Sequence, residues 1–312
     1  MTSKLTNLSR REFLSATAGL VAHSCLLTGC GSRFSQSQDA KPFSFGVVTD
    51  VQYADADPGG SRIYRASPMK LKRCVDFLNT QDLAFVIHLG DLIDRDFDSF
   101  DTVMPLFDRC KHPVYQVLGN HDFSVDNVHK ADVPKRLGLA RRYYDFSVGT
   151  WSFVVLDGND LSLHANVKGS DRYEASNRMY EQLKANQKSN AQTWNGGVGK
   201  EQMAWLEYTL TQAEESGQQV VVFCHWPIFP VASHNLWNDS EVVSVLESFD
   251  CVRVYMNGHN HAGHYDQKQG IHYVTFRGMV DGADRFSYGI VHCNADAIKI
   301  TGYGDEVGRT LL

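Results

Sequence analysis

No basic tail or stripe runs through this 312-residue chain. Lys and Arg number 30 against 36 Asp and Glu, for a formal net charge of −6. That balance argues against nucleic acid as a partner, because neutralising a phosphate backbone takes clustered cations. Cysteine is also sparse. The seven cysteines are widely spaced, and no pair has the spacing of a zinc ribbon or a thiol redox motif. The five beyond residue 40 (Cys74, Cys110, Cys224, Cys251 and Cys293) mostly sit in apolar runs and read as buried thiols. Long hydrophobic runs are missing too. The stretch from Phe13 to Leu27 is too short and too mixed for a permanent span. Nothing after residue 42 repeats or is of low complexity. What remains is 43% hydrophobic and 21% charged, enough to bury a sizeable core.

The N-terminus reads as an address. Ser9-Arg10-Arg11-Glu12-Phe13-Leu14 resembles a twin-arginine export signal. Leu27-Thr28-Gly29-Cys30 resembles a bacterial lipoprotein box, in which Cys30 would carry the lipid. The expected organisation is a signal over 1–30, a polar tether over 31–42 and one catalytic domain over 43–312. The expected location is periplasmic or membrane-anchored, with the lipid on Cys30 as the only membrane contact.

The domain repeats one design. Short apolar runs end in a polar group: Phe43 to Asp50, Phe85 to Asp91, Val114 to His121, Gln219 to His225, and Val252 to His261. Runs of this length rich in β-branched residues read as buried strands. The polar groups then lie beyond strand C-termini, where open α/β sheets place their ligands. Helices are predicted over Met69 to Asn79, Asp171 to Gln192 and Glu201 to Ser216, the last stopped by Gly217. Strands follow over Ile271 to Arg277, Tyr288 to Cys293 and Ala297 to Tyr303. The expected fold class is α/β, a layered sandwich of two mixed β-sheets flanked by helices.

Several of these strand-end groups are competent metal donors. Asp50 and Gln52 sit two apart, as do His259 and His261, so on extended backbone each pair shares a side. Asp91 follows Gly90, Asn120 precedes His121, and His225 ends its run. A lone strand-end Asp is more often a helix cap, and a lone buried His more often a satisfied core residue. Five such pieces in order are hard to attribute to chance.

The series Asp-x-Gln, Gly-Asp, Gly-Asn-His-Asp, strand-end His and Gly-His-x-His resembles the signature of calcineurin-like metallophosphoesterases. Gln52, in Asp50-Val51-Gln52-Tyr53-Ala54-Asp55, is similar to the manganese-dependent ADP-ribose/CDP-alcohol diphosphatase family. So are Arg62-Ile63-Tyr64-Arg65, Asn195-Gly196-Gly197 and His225-Trp226-Pro227-Ile228. The chain departs from that family pattern at Trp226, Ala262 and His264, where a small aliphatic residue, Asp and Gly are expected.

The resemblance implies two divalent cations. One would be held by Asp50, Gln52, Asp91 and His261, the other by Asp91, Asn120, His225 and His259. Mixed oxygen and imidazole donors suit Mn²⁺, Fe²⁺ or Zn²⁺, and the amide of Gln52 favours Mn²⁺. The expected reaction is in-line attack of a metal-bridging hydroxide on a phosphoryl group. The resemblance places His121 at the leaving group, oriented by Asp94. Arg95 is a candidate phosphate contact, with Arg62 and Arg65 weaker ones. Tyr53, Phe123 and Trp226 neighbour ligand positions and are candidates to line a base pocket, with Trp194 and Trp237 at its rim. For each ring the competing reading is core packing. His264 either reaches a second phosphate or faces water.

The leading expectation is hydrolysis of phosphoanhydrides in nucleoside diphosphate-linked sugars or alcohols, so the partner is a small nucleotide-like molecule. A broad exported phosphomonoesterase or phosphodiesterase is the alternative, which a substrate panel separates. A non-catalytic binding lipoprotein is the third reading. It normally requires lost ligands, and every ligand position here holds a competent donor.

Overall fold

The computed structural model describes residues 41–294 and 297–312. The expectations for Arg10, Arg11 and Cys30 fall outside that range. Among the described residues no helix is long and apolar enough to cross a membrane.

Two six-stranded mixed sheets form the centre. The first runs β14 (Arg309–Leu311), β13 (Ile298–Gly304), β12 (Ser287–Cys293), β1 (Phe43–Val48), β2 (Phe85–His88) and β3 (Val114–Gln116). The second runs β10 (His264–Lys268), β11 (Ile271–Thr275), β9 (Val252–Asn257), β8 (Gln219–Phe223), β5 (Trp151–Val155) and β4 (Tyr144–Val148). In the first sheet β1, β2 and β3 pair in parallel. In the second, β5, β8, β9 and β11 do so.

Strand periodicity explains the layering. In β1, Phe45 and Val47 enter the core between the sheets, while Val48 joins the opposite face. In β2, Phe85 and Ile87 point inward and Val86 outward. In β8, Val221 and Phe223 point inward, and Val220 and Val222 outward. With both faces buried, the strands read as continuous apolar runs rather than alternating ones. The inner layer is aromatic: Phe45 stacks on Phe85 with centroids 4.7 Å apart and meets Phe153 edge-on at 5.6 Å. Each such buried side chain contributes roughly 1.5–3 kcal/mol.

Helices α1 (Ser67–Leu78) and α2 (Ser99–Phe107) cover the first sheet. The short α3 (Val133–Arg136) packs there too. Helix α4 (Asp171–Ala185) belongs to an inserted segment, with the two-stranded β6–β7 pair (Leu161–Ser162, Gly196–Gly197). Helices α5 (Lys200–Glu215) and α6 (Asp239–Leu246) cover the second sheet.

Helix α4 ends seven residues before the predicted Gln192. Gln187 takes a positive φ of 52°. Its N–H reaches the Lys184 carbonyl at 3.0 Å, and the Lys188 N–H reaches Leu183 O at 3.0 Å. This is a Schellman stop built without glycine. Gly217 makes the same stop for α5, as predicted. The β4–β5 hairpin, α2 and α6 are additional to the predicted elements.

Candidate metal centre and active site

Every candidate ligand sits on a loop just past a strand of the two sheets, and the loops are stitched together. Asp50 N–H donates to Gly90 O at 3.1 Å, Gln52 N–H to Asp91 O at 2.9 Å, and Gly258 N–H to His225 O at 3.0 Å. Asp50, Gln52, Asp91 and His259 have φ of 51°, 44°, 60° and 64°. The extended geometry expected for Asp50-x-Gln52 is therefore absent. Left-handed turns aim these side chains instead, at about 1–2 kcal/mol of strain each.

The candidate donors converge on Asp91, which is fully buried. His225 Nε2 lies 3.1 Å from Asp91 Oδ2 and 4.0 Å from Asp50 Oδ1. His261 Nε2 lies 3.3 Å from Asp50 Oδ1. Gln52 Nε2 lies 3.0 Å from Asp91 Oδ2, and His259 Nδ1 lies 3.2 Å from His225 Nε2. Asp91, His225 and His259 offer donor atoms all within 4.8 Å of one another. Asn120, on the loop after β3, is 5% exposed.

Two observations test whether this set fits divalent cations. First, Gln52 Oε1 and Asn120 Oδ1 are buried without a hydrogen-bond partner, and Asp50 Oδ1 has only the His261 ring nitrogen, 3.3 Å away. Orphaned oxygens of this kind are costly unless a cation satisfies them. Second, each imidazole has its distal nitrogen fixed. His225 Nδ1 donates to Leu89 O at 2.8 Å. His261 Nδ1 faces Asp281 Oδ2 at 3.2 Å, and His259 Nε2 faces Asn195 Oδ1 at 3.1 Å. The remaining nitrogens are those that face the cluster, the outer-shell arrangement of metal-ligating histidines. The donors fit.

The charges point the same way. Burial works against the Asp50 carboxylate, but His261 and His225 outweigh it and hold its pKa down at about 2. Burial also opposes ionisation of Asp91, and His225 and His121 pull it below the usual carboxylate range. Conversely, burial disfavours charged His225, yet Asp91 and Asp50 raise it to about 9. His261 rises to about 10 against burial, mainly through Asp50 and Asp281. Without a cation, the carboxylates draw protons onto these two rings. His259 stays neutral, pushed down by burial and by His225.

His121 lies beside the cluster. Its backbone N–H donates to Asp91 Oδ1 at 2.7 Å, and its Nδ1 donates to Asp94 Oδ1 at 2.6 Å. Burial lowers its pKa, but Asp91 and Asp94 more than compensate and raise it. Only Nε2 is left to act in the cleft, which has a volume of about 360 Å³. Gln52, Asn120, His121 and His259 line that cleft together with Arg62, Trp194 and His234.

The expected base pocket does not include Phe123 or Trp226. Phe123 is 1% exposed and packs in the first outer core beneath Arg142. Trp226 is 0% exposed, wedged against the Gly158 backbone in the second. Both are inaccessible because they fill helix-side layers behind the loops. Tyr53 packs against the same outer core as Phe123, and Trp237 is buried. His264 lies at the start of β10, half exposed, with Nε2 3.9 Å from Asp266 Oδ2, and is not among the residues lining the cleft. Arg95 lies over the Tyr64 ring, 5.1 Å from its centroid, and its side chain is about half exposed. Trp194 does reach the rim.

Several residues have roles that the motifs left unassigned. Asp122 accepts backbone N–H groups from Gly119, Leu92 and Asp91 at 2.9, 2.8 and 3.1 Å, clamping two ligand loops together. Burial and the Asp91 charge raise its pKa to about 7. It stands inside Gly119-Asn120-His121-Asp122, so its signal was present. Lys70 gives its buried ammonium to the carbonyls of Met279, Val280 and Asp281, fixing the loop that orients His261. Asp281, Lys70 and His234 carry no sequence signal, because only the fold brings them to the site.

Comparison with known proteins agrees with this geometry. Residues 43–263 match the calcineurin-like phosphoesterase family. A manganese-dependent ADP-ribose/CDP-alcohol diphosphatase of Arabidopsis thaliana is 32% identical, covering 83% of this chain and 94% of the relative. The Homo sapiens protein of that name is 29% identical, covering 86% and 92%. The crystal structure of a dimetal phosphatase from Danio rerio superposes with a TM-score of 0.79 at 28% identity, covering 86% of this chain and 98% of that one. The loops that carry the candidate ligands all lie within the matched span. The chain therefore belongs to the calcineurin-like phosphoesterase family and is a metal-dependent phosphoester hydrolase.

Proposed function

We propose that the chain hydrolyses the phosphoanhydride bond of nucleoside diphosphate-linked sugars or alcohols, with Mn²⁺ as the favoured metal. The observation carrying this reading is the convergence of orphaned oxygens and tautomer-fixed imidazoles on Asp91, with His121 beside them. The names of the relatives at about 30% identity support the substrate class.

Asp50, Gln52, Asp91 and His261 would hold one cation, and Asp91, Asn120, His225 and His259 the other. When bound, the pair supplies positive charge to the phosphoryl oxygens and acidifies a water. The chain does the rest. Asp50, Asp91 and His225 are fully buried, which strengthens their attraction for a cation. His121, its Nδ1 bound to Asp94, gives its Nε2 proton to the departing oxygen as water adds to the phosphorus and the P–O bond breaks. Asp94 keeps the ring in the required tautomer.

The test is a panel of ADP-ribose, CDP-choline, an aryl phosphate and an aryl diester with Mn²⁺-loaded protein. The diphosphates are expected to turn over with the highest kcat/KM. Turnover of the monoester alone rejects the reading. We further propose export as a lipoprotein, supported by the motifs around Arg10-Arg11 and Cys30. Arg10→Lys with Arg11→Lys should block export, and Cys30→Ala should release the protein from membranes. Unchanged fractionation of both variants rejects that address.

A further inference from the structure

Three arginines lie near the site in sequence, and the fold separates them. Arg65 is exposed and tied to Asp55 and Asp57. Arg95 packs on Tyr64 and donates to its hydroxyl at 3.4 Å. Arg62 lines the cleft with the candidate ligands. Its guanidinium has no hydrogen-bond or ion-pair partner among the described residues.

The backbone around Arg62 is locked. Its N–H and carbonyl pair with Gly59 at 3.2 and 3.1 Å, and Ile63 N–H donates to Val280 O at 3.0 Å. The loop that holds Arg62 is thus tied to the loop that orients His261. His234 lines the same cleft, its ring 5.5 Å from that of His259. Ser233 Oγ sits 3.3 Å from His234 Nδ1, which leaves Nε2 without a partner among the described residues.

We propose that Arg62 and His234 form a subsite for the second phosphoryl group of a diphosphate, in the cleft that holds the candidate metal ligands. This rests on the proposed function and deepens it. A monoester engages only the ligand cluster. A diphosphate brings a second anionic group that needs its own donors, and an idle guanidinium meets that need with charge-assisted hydrogen bonds. The cleft volume of about 360 Å³ is near the small end for ligand sites, so the nucleoside extends outward. Trp194, 44% exposed at the rim, offers it a ring face.

The experiment titrates Mn²⁺-loaded protein with AMP and with α,β-methylene-ADP, which differ by the second phosphoryl group. Arg62→Gln is expected to weaken the methylene-ADP complex by about 30-fold, and His234→Ala by about fivefold. Both should shrink the preference over AMP, with metal content unchanged. Equal weakening of the two nucleotides, or no weakening, overturns the subsite. Wild-type turnover of ADP-ribose is measured in parallel. If ADP-ribose is not cleaved but the preference still collapses, the proposed function fails and the subsite stands. If it is cleaved and the preference persists, only the subsite fails.

Discussion

His121 and Asp94 give the most local prediction. Asp94 raises the pKa of His121 and fixes its ring, so Asp94→Asn removes the charge that raises the pKa and leaves only a neutral amide to hold the ring. The kcat is expected to fall about 10–100-fold. A general acid must be protonated, so activity is lost as pH rises through its pKa. Lowering that pKa moves the alkaline limb of the pH–rate profile to lower pH. An unmoved limb contradicts the dyad. The candidate ligand histidines predict an effect on stability. In the metal-free protein, His225 and His261 rise from 6.5 to about 9 and about 10. Their contribution is complete below pH 6.5 and disappears as pH climbs through those values. Mn²⁺ competes with the same protons, so the Tm gain on adding Mn²⁺ should grow between pH 6.5 and 9. Scanning calorimetry at both pH values checks this, and a shrinking gain contradicts it.

At the scale of elements, the loops matter more than the strands that carry them. A methyl group at Gly119 would lie 2.1 Å from Asp91 Oδ1 and 2.4 Å from its backbone nitrogen. Gly119→Ala should cost more than about 2 kcal/mol and abolish Mn²⁺ binding, as denaturant titration and metal analysis would show. Helix α4 makes the opposite prediction. Gln187 pays left-handed strain for a stop that glycine makes freely, so Gln187→Gly should stabilise by about 1 kcal/mol. A lower midpoint in denaturant would reject that account of the helix end. The end was not legible because Gln187 carries none of the usual C-terminal signals, whereas Gly217 does. Helix α2 was hidden by Pro105 within it, and α6 by its length of 8 residues. Strand β5 was legible in Trp151-Ser152-Phe153-Val154-Val155, a buried run after a glycine turn.

For the whole molecule, the sandwich follows from runs apolar on both faces, and the ligand positions follow from the polar group that ends each run. These features are local, so the sequence carries them. The outer wall of the cleft is different. Arg62, Trp194 and His234 come to it from a loop, the inserted segment and a turn, which no spacing relates. Phe123 and Trp226 neighbour candidate ligands in sequence but fill the buried layers behind the loops, Trp226 packed against the rings of His225 and His259. The proposed chemistry requires distant strand tips to bring one carboxylate, Asp91, within reach of two cations. Electron paramagnetic resonance of Mn²⁺-loaded protein tests this most directly. A spin-coupled Mn²⁺ pair in the wild type, lost in Asp91→Asn, is the predicted result. A signal from isolated Mn²⁺ alone in the wild type would contradict it.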